Sequence, residues 1–273
     1  MNLNKLMKYT LVLFVFQLVG QMGIAQEIKA DEMVLVPAGE FIMGCNPGKY
    51  PEYCAERSRP EHKVYVDAFW IDKYKVTFKR YNKCVADKKC TKLYEGAACN
   101  SGMTWNANHP VNCVNFLQAK AFCESIGRRL PTEAEWEKAA RGTDGRLFPW
   151  GNELASCDYA IMNQKVGNNK IGPGCGRGTT MPVGSRPKGV SPYGAMDMAG
   201  NLFEWTSDWY DAKYFEKSPY KNPKGPATGT KRVLKGSSWL MRTSEGVVSN
   251  GRSGYSELGQ GYVVGFRCAK SVK

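Results

Sequence analysis

The sequence predicts an α+β domain made of short strands, two main helices and much irregular coil, stapled by disulfides. Three observations carry this. Runs rich in β-branched and aromatic residues, such as Met33 to Val36 and His62 to Tyr74, are short and broken by glycine and proline. Two stretches between Asn115 and Gly142 combine helix caps with apolar residues at helical spacing. Ten cysteines lie between Cys45 and Cys268 with no Cys-x-x-Cys pair among them. In an exported chain that pattern marks disulfides rather than zinc thiolates.

Export is read from residues 1–25, which have the layout of a signal peptide. Lys5 and Lys8 precede an apolar run from Tyr9 to Gly20, and the small residues Gly23 and Ala25 come before Gln26. The run is too short for a comfortable membrane span. The expected location is therefore secreted or periplasmic, with no membrane span. Residues 26–273 show no repeat or linker and suit one domain with a sizeable core. The formal charge is +13, or +11 without Lys5 and Lys8. Outside the cell this balance fits an acidic glycan or an anionic surface better than nucleic acid, and it equally fits a solvated lysine coat.

Taken in order, Met33 to Val36 and the alternating Phe41 and Met43 read as a strand pair around the turn Pro37-Ala-Gly39. Cys45 and Cys54 flank a polar loop. His62 to Tyr74 reads as a central strand. Thr77 caps a helix with Tyr81, Cys84 and Val85 on one face, and a long loop follows through Cys90 and Cys99. Asn115 and Gln118 form the cap of the next helix, whose stripe is Ala119, Phe122, Cys123 and Ile126. Gly127 ends it. Thr132 and Glu135 make a second capping box for a short amphipathic helix, with Trp136, Ala139 and Ala140 on one face and Gly142 as its stop. Glu133 and Glu135 at its start, and Lys138 and Arg141 at its end, suit the helix dipole. Glu135 and Glu137 have capping or surface roles in this reading. Beyond Gly142 regular structure should thin out, with strands at Arg232 to Trp239 and Val263 to Cys268.

The string Arg129-Leu-Pro-Thr-Glu-Ala-Glu-Trp-Glu137, followed by Leu147-Phe-Pro-Trp-Gly-Asn152, resembles the formylglycine-generating enzymes, or sulfatase-modifying factor domains. Met33 to Gly44, Val66 to Thr77, Tyr193 to Trp209 and Arg232 to Cys268 agree with the same family. The resemblance implies a C-type-lectin-like core and a bridge between Cys123 and Cys268. For the other eight cysteines, proximity proposes Cys45–Cys54, Cys84–Cys90, Cys99–Cys113 and Cys157–Cys175 among 105 connectivities.

The family oxidises a cysteine of its sulfatase substrate to formylglycine with oxygen and a copper ion held by two thiolates, ligands that a soft Cu(I) favours. The matching positions here are Met241 and Gly246, and no cysteine occurs between Cys175 and Cys268. The pocket serine is matched by Ser238, and a pocket tryptophan is replaced by Phe203. Copper is therefore not expected. The family's calcium segment maps to Asp197, Gly200, Leu202 and Glu204, oxygen donors suited to a structural calcium ion. Two histidines, His62 and His109, are too few for a histidine-rich iron or zinc site, and no Gly-x-Ser-x-Gly elbow is present. Two functions stay open. One is a binding module for a peptide, protein or acidic glycan, displaying Trp239, Arg242, Arg252 and Tyr255. The other is a formylglycine-generating oxidase acting on a peptide cysteine.

Overall fold

The computed structural model describes residues 31–101, 106–166, 169–242 and 244–272; the leader expected over residues 1–25 lies outside them. Its elements in chain order are β1 (Met33–Val36), β2 (Gly39–Met43), β3 (His62–Val66), β4 (Phe69–Asp72), α1 (Phe78–Ala86), α2 (Phe116–Ser125) and α3 (Glu133–Arg141). There follow β5 (Gln164–Val166), β6 (Asn169–Gly172), β7 (Phe203–Trp209), β8 (Arg232–Lys235), β9 (Arg252–Tyr255), β10 (Val264–Gly265) and β11 (Ala269–Ser271). The α+β class, the short strands and the extensive coil are as the sequence predicts.

The sheets are small and assembled from distant segments. β4 lies between β1 and β11, antiparallel to both, so the two ends of the domain meet on one strand. The second sheet runs β10-β7-β8-β9, with only the β10–β7 pair parallel. β2 pairs with β3, and β5 with β6. Two expectations are corrected here. β1 and β2 are both strands, but they pair with β4 and β3 rather than with each other. His62 to Tyr74 is not one strand, because the chain breaks at Asp67-Ala68 and divides it between two sheets. Val64 and Val66 are buried in one half and Phe69 and Ile71 in the other, so the two-residue break shifts the buried alternation by one position.

Among the described residues three α-helices are present, each opened by the cap residue expected: Thr77, Asn115 and Thr132. Both capping boxes form, Asn115 with Gln118 and Thr132 with Glu135. Ile126 departs from its predicted stripe: it is the exposed C-cap of α2, where the helical spacing has already ended. The larger departure concerns α3. Every one of its nine residues is buried, so it is a central helix and not an amphipathic surface one. It packs against β2, β3, β7 and β8. Trp136, Ala139 and Ala140 enter the apolar core with Val36, Phe41, Val64 and Ile71.

A buried helix this polar has to satisfy its charges internally. Glu135 takes the Arg129 guanidinium at 2.6 Å as well as the Thr132 amide. Glu133 holds Arg252 through two bonds of 2.7 and 2.9 Å. Glu137, far from the surface role expected of it, accepts from Gly44 N at 2.8 Å, Arg141 at 3.1 Å and Lys235 at 2.8 Å. Lys138 donates to the carbonyls of Pro37 and Gly39 at 2.7 and 2.9 Å. Lacking an anion there, burial pushes its ammonium pKa down to about 8.

All ten cysteines are bridged, as Cys45–Cys54, Cys84–Cys90, Cys99–Cys113, Cys123–Cys268 and Cys157–Cys175. Cys123–Cys268 closes a span of 145 residues and fastens α2 to the strand pairing of Arg129 with Ala269. Replacing both cysteines by alanine should cost about 2–5 kcal/mol, most of it through the unfolded chain. A melting temperature within a degree of wild type for that double variant would contradict this.

Candidate functional site

The site begins where β8 ends. After Lys235 the backbone crosses α3 so closely that a Cβ on Gly236 would lie 2.7 Å from the Trp136 ring, and Gly236 has φ +86°. Only glycine is relaxed there. Ser237 follows with φ 68°, a conformation that side-chain-bearing residues seldom adopt, and its buried hydroxyl has no hydrogen-bond partner. Ser238 is buried as well, its hydroxyl accepting from Leu240 N at 3.4 Å. A turn from Met241 N to Ser238 O, 3.1 Å, then brings Met241 back over the strand end, and Asn163 N fixes its carbonyl at 2.8 Å.

A cavity of about 430 Å³ opens at this point, lined by Phe203, Ser237, Met241 and Gly246. Its opposite wall is the turn Pro51–Tyr53 with Cys54 and Arg57, held by the Cys45–Cys54 bridge. Glu52 and Glu245 sit exposed at the rim. Burial, then Glu245 and Glu52, push the Tyr53 hydroxyl pKa above its ordinary value. Arg57 donates to Arg252 O at 2.5 Å and ties that wall to the floor. The floor is Arg252, held by Glu133.

Met241 and Gly246, five residues apart in sequence, touch. A Cβ built on Gly246 would stand 2.1 Å from Met241 Cγ and 2.4 Å from its Sδ. The methionine side chain thus fills the volume a side chain at 246 would need. Of the residues expected at the pocket, Phe203, Met241 and Gly246 line one cavity, and Ser238 lies buried directly behind it.

The expected binding surface is only partly there. Trp239 is 8 % exposed and packs with Ile161 and Leu202, so it is core and not a contact for ligands. Arg252 is 2 % exposed and saturated by Glu133 and the carbonyls of Arg57 and Asp211. Both stand in a polar stretch of sequence that suggests surface, yet its Ser237, Ser238, Ser249 and Asn250 are themselves buried. Tyr255 is half-buried against Trp205, 5.7 Å between rings, while Arg242 is exposed. Sequence reasoning missed Tyr53, Arg57 and Ser237. The first two come from a loop nearly two hundred residues away, and only the Gly236-Ser-Ser238 string hinted at the third.

The segment expected to hold calcium does not fit that ion. Glu204 is completely buried, and both its oxygens are already taken. Lys75 Nζ donates to Oε1 at 2.5 Å, and Arg267 donates to Oε2 from Nε at 2.7 Å and to Oε1 from Nη2 at 3.0 Å. Although burial raises the carboxyl pKa, Arg267 and Lys75 together hold it below the usual range. Asp197 turns Oδ2 to Gly184 N at 2.7 Å. A divalent ion on Glu204 would stand beside two cations, and like unit charges 4 Å apart already cost about 4 kcal/mol at an effective dielectric of 20. Among the described residues no cluster of three or more His, Cys, Asp or Glu is arranged to hold a metal.

The strand order, the capped central helix and the pocket together define a domain class, and comparison with known proteins agrees with it. A family model described as the sulfatase-modifying factor enzyme 1-like domain matches residues 20–272, so the chain belongs to the sulfatase-modifying factor family. It is 32% identical over 257 residues to the formylglycine-generating enzyme of Mus musculus, covering 78% of this chain and 67% of that one. It is also 32% identical over 263 residues to the serine/threonine-protein kinase pkn1 of Chlamydia caviae, spanning 89% of this chain and 38% of the kinase. The structure of PvdO from Pseudomonas aeruginosa shares the fold, with a TM-score of 0.73, 24% identity and coverage of 88% and 94% of the two chains.

Proposed function

We propose that this chain is an exported sulfatase-modifying-factor domain that has lost copper-dependent formylglycine formation and binds a peptide, protein or acidic glycan at the Met241 cavity. The observation that carries the reading is the pair Met241 and Gly246. A thioether lies where the resemblance calls for one thiolate, and its side chain fills the space of the other. All ten cysteines are in disulfides, which leaves no thiolate for a soft metal or for thiol chemistry. The cavity itself persists, with a strained serine, a tyrosine hydroxyl and charges of both signs at its mouth. Altered site residues weigh more than a shared fold when activity is inferred.

The oxidase reading is favoured by the identity to the mouse enzyme. One experiment separates the two: Cu(I) titration against a competing chelator, run beside mass spectrometry of a cysteine-containing sulfatase-type peptide. We expect neither tight copper binding nor formylglycine. Stoichiometric Cu(I) binding that Met241→Ala abolishes, together with peptide oxidation, would establish the oxidase. A glycan and peptide binding screen, repeated with a bulky Ser237→Phe variant, then identifies the ligand class.

A further inference from the structure

We propose that the resident cation at the Asp197–Glu204 segment is the ammonium of Lys75, so that this domain is built to stand without calcium. The segment keeps its negative groups: Glu204 is buried at the start of β7, and Asp197 is buried in the turn that leads into it. Buried carboxylates require a compensating charge. In this chain the charge is covalently attached. Lys75 has no exposed surface and places Nζ 2.5 Å from Glu204 Oε1, an oxygen that Arg267 Nη2 also reaches at 3.0 Å. Arg267 completes the arrangement, donating also to the carbonyls of Asp72, Lys73 and Met196. Lys75 and Arg267 thus tie together four segments around one carboxylate: the chain just after β4, residue 196, β7 and the link between β10 and β11.

An ammonium and a calcium ion are not interchangeable here. Calcium asks for six to eight oxygens at about 2.3–2.6 Å. Glu204 already gives both oxygens to N–H donors, and an ion reaching it would have to displace a Lys75 side chain that has no exposed surface to move into. The lysine follows β4, whose Asp72 is itself wholly buried and paired with Arg80 and Arg128, so its backbone has little room to withdraw. The anchored cation has a consequence for function: the pocket strand β8, hydrogen-bonded to β7, is held in place whatever the calcium level around the protein.

The test uses the full mature chain. Equilibrium dialysis with calcium, and thermal melts in excess chelator and in millimolar calcium chloride, should show no stoichiometric binding and superimposable transitions. The variant Lys75→Glu exchanges the ammonium for a third carboxylate. Its melting temperature should fall in chelator and then climb by about 2–5 °C per tenfold rise in calcium above the dissociation constant, with magnesium less effective. Should Lys75→Glu fold only when calcium is present, that too supports the assignment. Stoichiometric calcium binding by the wild-type chain that Asp197→Asn removes would overturn it. So would a Lys75→Glu protein whose melt ignores calcium. If that variant folds under neither condition, the wild-type dialysis alone decides.

Discussion

Replacing Glu137 by alanine should destabilise the protein by about 3–5 kcal/mol, the loss that follows when one partner of a buried ion pair is removed and the other stays. Lys235 has no exposed surface and its Nζ lies 2.8 Å from Glu137 but 3.9 Å from Glu133, which is already committed to Arg252. Arg141 and the Gly44 amide would lose the same acceptor. A control on the exposed pair Lys120–Glu124, 2.7 Å apart, should move stability by less than about 0.5 kcal/mol. The double variant Glu137→Gln with Lys235→Met tests the cause. Removing both charges should recover much of the loss, because the uncompensated ammonium is the expensive item. Equal destabilisation of single and double variants would defeat the argument.

Acid supplies a second measurement of the same contact. Burial raises the Glu137 carboxyl pKa, but Lys235 and Arg141 lower it further, so the folded value lies beneath the unfolded one. Such a group contributes stability that is present above its unfolded pKa and is lost as pH falls through the folded pKa. Glu137→Gln should therefore show a flatter acid limb than wild type in denaturant titrations run at falling pH.

The parts of this molecule that were legible in sequence are the local ones. Caps need only residues three apart, which is why Thr77, Asn115 and Thr132 were placed correctly. Four of the bridges, with sequence separations from 6 to 18, followed from proximity. The fifth needed the family resemblance. What failed was burial of polar side chains, because a charged residue carries no local mark of the partner that will neutralise it. Arg252 and Glu137 read as surface until Glu133 and Lys235 arrive from 119 and 98 residues away. Lys75 was invisible for the same reason: its acceptor lies 129 residues on. The pocket shows both halves of the lesson. Met241 and Gly246 follow from the family resemblance, whereas the wall formed by Tyr53 and Arg57 exists only in the folded chain.

The double variant Met241→Cys with Gly246→Cys should gain a Cu(I) site that the wild type lacks. The geometry makes the two changes depend on each other. Gly246→Cys alone drives its Cβ to within 2.4 Å of Met241 Sδ, an overlap that should cost about 1–3 kcal/mol as overpacking does. Met241→Cys alone clears that space but offers the metal a single thiolate. With both changes the shorter side chain at 241 opens the volume above residue 246, whose φ lies outside the left-handed range, so a cysteine meets no backbone strain there. Two thiolates then face each other, the arrangement a soft monovalent ion prefers. The expected result is one equivalent of Cu(I) retained against a competing chelator by the double variant, with neither single variant retaining it. Oxidation of a sulfatase-type peptide by that protein would show that the cavity beside Ser238 still accepts the family's substrate. Copper binding without peptide oxidation would place the change of function in the walls, at Phe203, Tyr53 and Arg57, rather than at the metal position. A double variant that holds no more copper than wild type would mean the turn after Ser238 has moved away from the geometry the thiolates need, and the descent of this cavity from an oxidase site would lose its structural support.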